Sequence, residues 1–213
     1  LPKLEGGNHF GSRIAFDTVD GKSGGHVFIS QGERNERAMA QALEVLQGKL
    51  VRRNLDGSQP ADNPFASGVG VRKAIWSYGH SNMQGLAIDP RTNTLWQSEH
   101  GPRGGDELNL PQPGRNYGWP VITHGINYSG LKIPEAVGNA KAGMEQPAHY
   151  WVPSIAPSGM AFHDGRGYPA WRGQLFVGAL AATQIVRLEV QPDGKVLEEE
   201  RIAIGKRVRD LRE

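Results

Sequence analysis

An all-β chain of the β-propeller class is what the sequence predicts, on three observations. Short hairpins recur along it, glycine and proline are abundant, and helical periodicity is confined to a single stretch. With 29 Gly and 14 Pro in 213 residues, short strands joined by many turns are favoured. The hairpins resemble one another closely. The first reads IAFD at 14–17, a Gly-rich turn, then HVFIS at 26–30. The second reads LAID at 86–89, a PRTN turn, then TLWQS at 94–98. The third reads MAFHD at 160–164, a Gly/Pro-rich loop, then QLFVGAL at 174–180. Each is an apolar strand with a central Ala and an Asp, a turn, and a second strand carrying an aromatic. Such hairpins cannot bury themselves alone, so their recurrence implies radial or solenoid stacking.

The remaining elements follow in order. Segments 74–78 and 107–110 read as strands, and 184–190 pairs with 195–204 around the turn Gln191-Pro192-Asp193-Gly194. In 34–49, Met39, Leu43 and Leu46 fall at i, i+4 and i+7, which predicts a short helical insert. A fourth copy of the hairpin would begin at 208–210. At roughly 40–50 residues per four-stranded blade, the chain would supply about four blades. A β-sandwich is the runner-up, and repeated hairpins with long loops on one face fit it less well. The chain opens on Leu1 without Met or signal peptide and ends on RVRDLRE without a turn, which reads as an internal piece of a longer protein. A processed mature chain is the alternative for the N-terminus.

Bulk composition narrows the function classes. Hydrophobic content of 38% and charged content of 22% describe a soluble globular protein. A net charge of +2 with both signs interspersed gives no case for nucleic acid or an anionic membrane. No stretch approaches the roughly 20 apolar residues that span a bilayer. The absence of Cys excludes disulfides and thiolate metal sites, and fits an exported chain as well as a cytosolic one.

The stretch 98–120, SEHGPRGGDELNLPQPGRNYGWP, carries five Gly and four Pro with little strand or helix character. Glu99, Asp106 and Glu107 with many free carbonyls suggest a hard cation such as calcium, against the alternative of an ordinary long surface loop. His9, in GNHFGSR before the first repeated strand, is a candidate general base if that loop faces the axis; a turn His held by backbone is the competing reading. His80 and Asn82 occupy the equivalent place before the second repeated strand, where local turn bonding is the alternative. Arg207 and Arg209 alternate in RVRD, so in a strand both would share a face and clamp carboxylates; a solvated charged terminus is the alternative.

Together these words resemble the soluble quinoprotein glucose/sorbosone dehydrogenase family, and within it the aldose sugar dehydrogenases. NHFGSR, SNMQGLAID, SEHGPRGGDELN, GRNYGWP, PSIAPSGMAF and RVRD carry the resemblance, which runs from near Leu1 to near Glu213. It implies a six-bladed propeller of which 1–213 is a partial domain, the first blades and closing strands lying outside it. It implies calcium, pyrroloquinoline quinone (PQQ) on the axis, and oxidation of the C1 hydroxyl of an aldose to the lactone by hydride transfer from C1 to the quinone C5. It also implies an external electron acceptor and a periplasmic or secreted bacterial location. His9 corresponds to the base, and Asn8 falls where some relatives carry a substrate-contacting Asp. Gly101 and Pro102 correspond to carbonyls that hold the cofactor calcium. Asn82, His100, Asp106, Ser154, Arg207 and Arg209 match cofactor contacts. Glu107 and Tyr117 match ligands of a second, structural calcium, with Glu145 a further candidate. A triply carboxylated quinone needs cations, and a metal on its oxygen makes the ring electrophilic.

Two departures separate the chain from that pattern. The family usually has Arg where this chain has Ser81, and tends to have Lys near Ala181. Nearby Arg34, Arg103 or Lys206 can supply the missing charge. A non-catalytic sugar- or partner-binding propeller is therefore the second function to weigh. A calcium-dependent hydrolase would need a water-activating carboxylate pair that is not evident.

Overall fold

The computed structural model describes residues 7–19 and 22–212, and its strands form three antiparallel sheets of four. The first sheet joins β1 (Ile14–Val19), β2 (Lys22–Gln31), β3 (Lys49–Asn54) and β4 (Ile75–Tyr78) in that order. The second joins β5 (Asn82–Asp89), β6 (Thr94–His100), β7 (Asp106–Asn109) and β8 (His149–Trp151). The third joins β9 (Pro157–Phe162), β10 (Leu175–Ala179), β11 (Gln184–Val190) and β12 (Val196–Ala203). The first strand of each sheet lies innermost, with β5 against both β1 and β9. These are consecutive blades of a β-propeller.

The recurring sequence words have a packing reason. The Ala of each inner strand pairs directly with the aromatic of the next: Ala15 with Phe28, Ala87 with Trp96, Ala161 with Phe176. A small residue opposite a large one lets adjacent blades close without overpacking. Leu86 and Leu95 of the second blade pack on Ala15, Phe28 and Leu50 of the first. A larger cluster joins Trp96, Leu108 and Trp151 to Met160, Phe162, Leu175 and Val177 of the third.

The blade count is three among the described residues, not about four, because 110–148 is spent on a long loop with no strand of its own. The proposed fourth copy is not a strand either. Residues 207–212 run beside β9, with Gly159 N donating to Arg209 O at 3.1 Å and Ser158 Oγ to Val208 O at 2.6 Å, but they have no ladder. The Gly-rich turn of the first hairpin, at 20–21, lies outside the described residues.

The helix expected over 34–49 shrinks to one 3-10 turn, Arg37–Ala40. Arg34 and Asn35 sit at φ 63° and 62°, which no right-handed helix accommodates. The carbonyls of Met39, Ala40 and Gln47 point instead at the Lys49 ammonium, at 2.7, 3.0 and 2.7 Å. Leu43 and Leu46 still pack inward, against Val51, Ala74 and Ile75, so the apolar spacing served a folded loop.

Lys49 itself is fully buried, and desolvation brings its ammonium down to about 7. The unfolded chain holds that proton up to about 10.4, so folding releases it above about 7 and stability rises with pH across that window. Lys49→Met is expected to flatten this rise and, by taking the ammonium from three carbonyls of which Met39 O and Ala40 O keep a backbone donor, to cost about 1 kcal/mol. Denaturant midpoints of the full-length protein at pH 6.5 and 9 read both effects.

Candidate active site at the axial face

Strand direction puts one set of loops together. β1, β5 and β9 begin on the same face, and β2 and β6 end there, so 7–13, 31–36, 79–82, 100–106 and 152–157 converge around the inner strands. Among the described non-glycine residues with positive φ, His9 (57°), Arg34, Asn35 and Ala156 (54°) all lie in these loops. Left-handed backbone at non-glycine positions is held only where the surroundings impose it.

His9 is about a third exposed, and its Nδ1 lies 2.6 Å from Oε1 of Glu33, whose side chain is fully buried. The second Glu33 oxygen, Oε2, has no hydrogen-bond partner in the protein. A carboxylate on Nδ1 holds that nitrogen protonated and leaves Nε2 with its lone pair free for a substrate proton. Arg34 anchors the same turn, donating from Nη1 to the His9 carbonyl at 2.5 Å and lying 4.9 Å over the Phe10 ring. Asn8 is exposed beside it.

Asn82 joins this loop to the second blade. Its Oδ1 accepts from Gly11 N at 2.9 Å, and a Cβ on Gly11 would collide with that oxygen and with Met83 O, so the close approach requires glycine. Asn82 Nδ2 lies 3.5 Å from His100 Nδ1, and His100 Nε2 donates to Pro157 O at 2.7 Å. Burial holds His100 below the ordinary imidazole range. With Nε2 donating to Pro157 O, Nδ1 is left as the acceptor toward Asn82.

Asp106 fixes the glycine-rich loop. Its Oδ1 accepts from Gly101 N at 2.9 Å, and its Oδ2 from Ile155 N and Ala156 N at 2.8 and 2.7 Å. Ser154 Oγ accepts from Gly104 N at 3.0 Å and lies 3.3 Å from Pro102 O. A Cβ on Gly101 would meet the Gly104 and Gly105 carbonyls, a cradle of oxygens without side chains. The Gly101 and Pro102 carbonyls belong to this close-folded backbone and are oxygen donors of the kind a hard cation takes, Pro102 O now accepting from Ser154 Oγ.

The second cation set is less coherent. Glu99 and Glu107 crowd one another, and desolvation and that repulsion push Glu107 well above the usual carboxylate range. A divalent ion there would relieve both. The Tyr117 hydroxyl, however, already donates to Leu110 O at 2.5 Å and accepts from Gln112 N at 2.9 Å, while Glu145 pairs with Arg115 at 3.4 Å. Among the described residues, no three His, Asp or Glu side chains gather as a metal cage.

Other expected residues fall elsewhere. His80 is fully buried, held by Ser77 and Glu99 and stacked on Tyr117 at 4.7 Å, so it braces the second blade and does not line the axial pocket with His9. Arg207 and Arg209 are exposed and lie in extended chain outside any sheet, so strand alternation does not set their directions. Ser81 is buried, with its amide donating to Glu99 Oε1, and Ala181, Arg103 and Lys206 are exposed. Arg34 is the one of the three proposed substitutes that touches the His9 loop. Glu33 was missed by sequence reasoning; a lone acid in the Gly-Glu-Arg-Asn turn closing β2, at an axial strand end, was the available signal.

Consecutive propeller blades thus bring a His–carboxylate pair and a glycine-rich loop to one axial mouth. The chain belongs to the Glucose / Sorbosone dehydrogenase family, whose profile matches residues 1–213. It is 54% identical over 214 residues to the aldose sugar dehydrogenase of Escherichia coli K12, covering 100% of this chain and 56% of that protein. The apo-form crystal structure of the soluble aldose sugar dehydrogenase from E. coli superposes with a TM-score of 0.91 at 52% identity, over 99% of this chain and 59% of that one. The PQQ-bound form of the Streptomyces coelicolor aldose sugar dehydrogenase gives 0.70 at 29% identity, over 94% and 52%. The chain thus spans a little over half the length of these relatives.

Proposed function

We propose that the full-length protein oxidises the C1 hydroxyl of an aldose to the lactone, using PQQ and calcium, with His9 as the base. The observation that carries this reading is the 2.6 Å contact between His9 and buried Glu33 at the mouth of the axis. Glu33 orients the imidazole and stabilises the cation it becomes when Nε2 accepts the C1 hydroxyl proton. Asn8 lies beside this proton path and can hydrogen-bond a neighbouring sugar hydroxyl. Asn82, His100 and Ser154 would hold the cofactor, Arg34, Arg207 and Arg209 would meet its carboxylates, and Gly101 and Pro102 carbonyls would hold its calcium. Bound there, the quinone supplies the hydride acceptor. Glu107, with Glu99 close by, is the better-supported part of a second calcium site; Tyr117 and Glu145 would have to exchange partners to join it.

The reading also supposes a six-bladed ring completed by chain outside 1–213, an external electron acceptor and a periplasmic location. Among the described residues, no helix is long and apolar enough to cross a membrane. The test is reduction of an artificial dye by the full-length protein with PQQ, calcium and a panel of aldoses. The replacement of the usual Arg by Ser81 favours the second reading, a propeller that binds sugars or a partner without redox chemistry. PQQ titration in the presence of calcium separates the two: a saturable complex supports the dehydrogenase, and its absence supports the binding propeller.

A further inference from the structure

On the face opposite the axial site, a cavity of about 290 Å3 lies between the first and second blades. Its walls come from the far end of β1, from β3 and β4, from the β5–β6 turn and from the chain after β7. Each of the two blades that form it has its four strands among the described residues. Its floor is apolar: Phe28 and Trp76 meet edge to face at 5.5 Å, with Leu95 beside them. Arg52, whose guanidinium lies 4.8 Å over the Trp76 ring, closes one side.

The polar rim is built, and the one charge on it without a counter-ion is the Asp17 carboxylate. His26 Nδ1 donates to Asp17 Oδ2 at 2.9 Å and its Nε2 accepts from Arg52 Nη2 at 2.7 Å; arginine can only donate, which fixes the neutral tautomer. The Arg52 charge is met by Asp62 at 3.1 Å. An anion therefore finds no free cation here. Hydrogen-bonding capacity, by contrast, is left over. Each Asp17 oxygen takes a single bond from His26 and keeps a lone pair. The Thr94 hydroxyl accepts from Thr92 and keeps its proton. Gln112 is an exposed residue that lines the cavity, and buried Arg52 Nε has no acceptor in the protein. Asn93, at φ 58° and bonded to Thr18 through both its side-chain atoms, ties the rim across the two blades.

An aromatic and aliphatic floor under a rim of carboxylate, hydroxyl and amide groups, with its one cation already paired, matches a molecule with C–H faces and hydroxyl edges. We propose that this cavity binds a neutral saccharide ring, as a second carbohydrate site separate from the axial one. At the lower end of the size range of small-ligand pockets, roughly 300 Å3 upward, it takes one ring rather than a chain. The inference stands on the cavity's own chemistry and not on the dehydrogenase reading.

The test uses the full-length protein carrying His9→Ala, so that bound sugar is not turned over, titrated with glucose and followed by saturation-transfer NMR. Saturable binding is expected that Gln112→Ala weakens about fivefold, the scale of one neutral hydrogen bond, and Asp17→Asn by at least as much, since a carboxylate acceptor is lost. Gln112→Ala removes an exposed side chain and leaves the fold untouched, which guards against misfolding of the other variant. In the enzyme with His9 intact, neither substitution is expected to alter aldose turnover. Glucose binding that is absent, or unaffected by both substitutions, overturns the site. Loss of dye reduction with this binding intact would overturn the dehydrogenase reading alone.

Discussion

His9→Ala in the full-length protein, loaded with PQQ and calcium, is expected to lower aldose turnover by about a thousandfold, within the range for a lost general base. Cofactor binding is expected to persist, because the groups assigned to it, Asn82, His100 and Ser154, do not hydrogen-bond the His9 ring. The size of the effect follows from geometry. The His9 ring is half-open toward solvent at one end and fixed by a fully buried carboxylate at the other. No other described imidazole combines exposure with such an anchor at the axial mouth: His80 is enclosed, and both His100 nitrogens face protein partners. Glu33→Gln is expected to cost less, about 10- to 100-fold, since the amide still bonds Nδ1 but no longer stabilises the imidazolium. Both losses are expected in kcat with KM little changed, as for groups that act on the reacting proton and not on binding. Turnover retained in His9→Ala removes the base from the mechanism.

The propeller was legible because its cause is local and repeated. An Ala facing an aromatic across each inner hairpin is a pattern of period two in the strand and of one blade in the chain. The candidate loops were legible where they flank such a hairpin, before its first strand at His9, at that strand's start at Asn82 and after its second at Gly101. It was illegible where a contact crosses the sheet: Glu33 and His9 are 24 residues apart, and only the end-on closure of β1 and β2 brings them together. The 34–49 segment misled for a related reason. Its apolar spacing is helical, but Lys49 captures the carbonyls that a helix would have used for itself. No window of local periodicity reports a cation arriving from the next strand. The stretch 98–120 held a subtler surprise. Its polarity suggested that a cation must hold it, yet Tyr117 and Trp119 are buried, and Glu99 and Asp106 spend their oxygens on the His80 ring, on a Gln97 side chain and on backbone amides.

That distribution makes Asp106→Asn the second large prediction. The carboxylate accepts from three backbone amides, one in its own loop and two in the β8–β9 connection. A side-chain amide offers one accepting oxygen, and its NH2 would face a buried donor, so at least one amide is left unpaired at about 1–3 kcal/mol. The loss falls on Ala156, whose left-handed backbone is imposed by this bond, and on Gly101, whose carbonyl is assigned to the cofactor calcium. The apoprotein is therefore expected to melt several degrees lower, and the stabilisation added by calcium is expected to shrink with it. Thermal midpoints of the full-length apoprotein across a calcium titration measure both. A lower midpoint with the full calcium increment would assign Asp106 to folding alone. An unchanged midpoint would mean that the ion, and not the carboxylate, organises the loop. The geometry favours the opposite order: Asp106 sets the carbonyls in place first, and the cation binds to a site already formed.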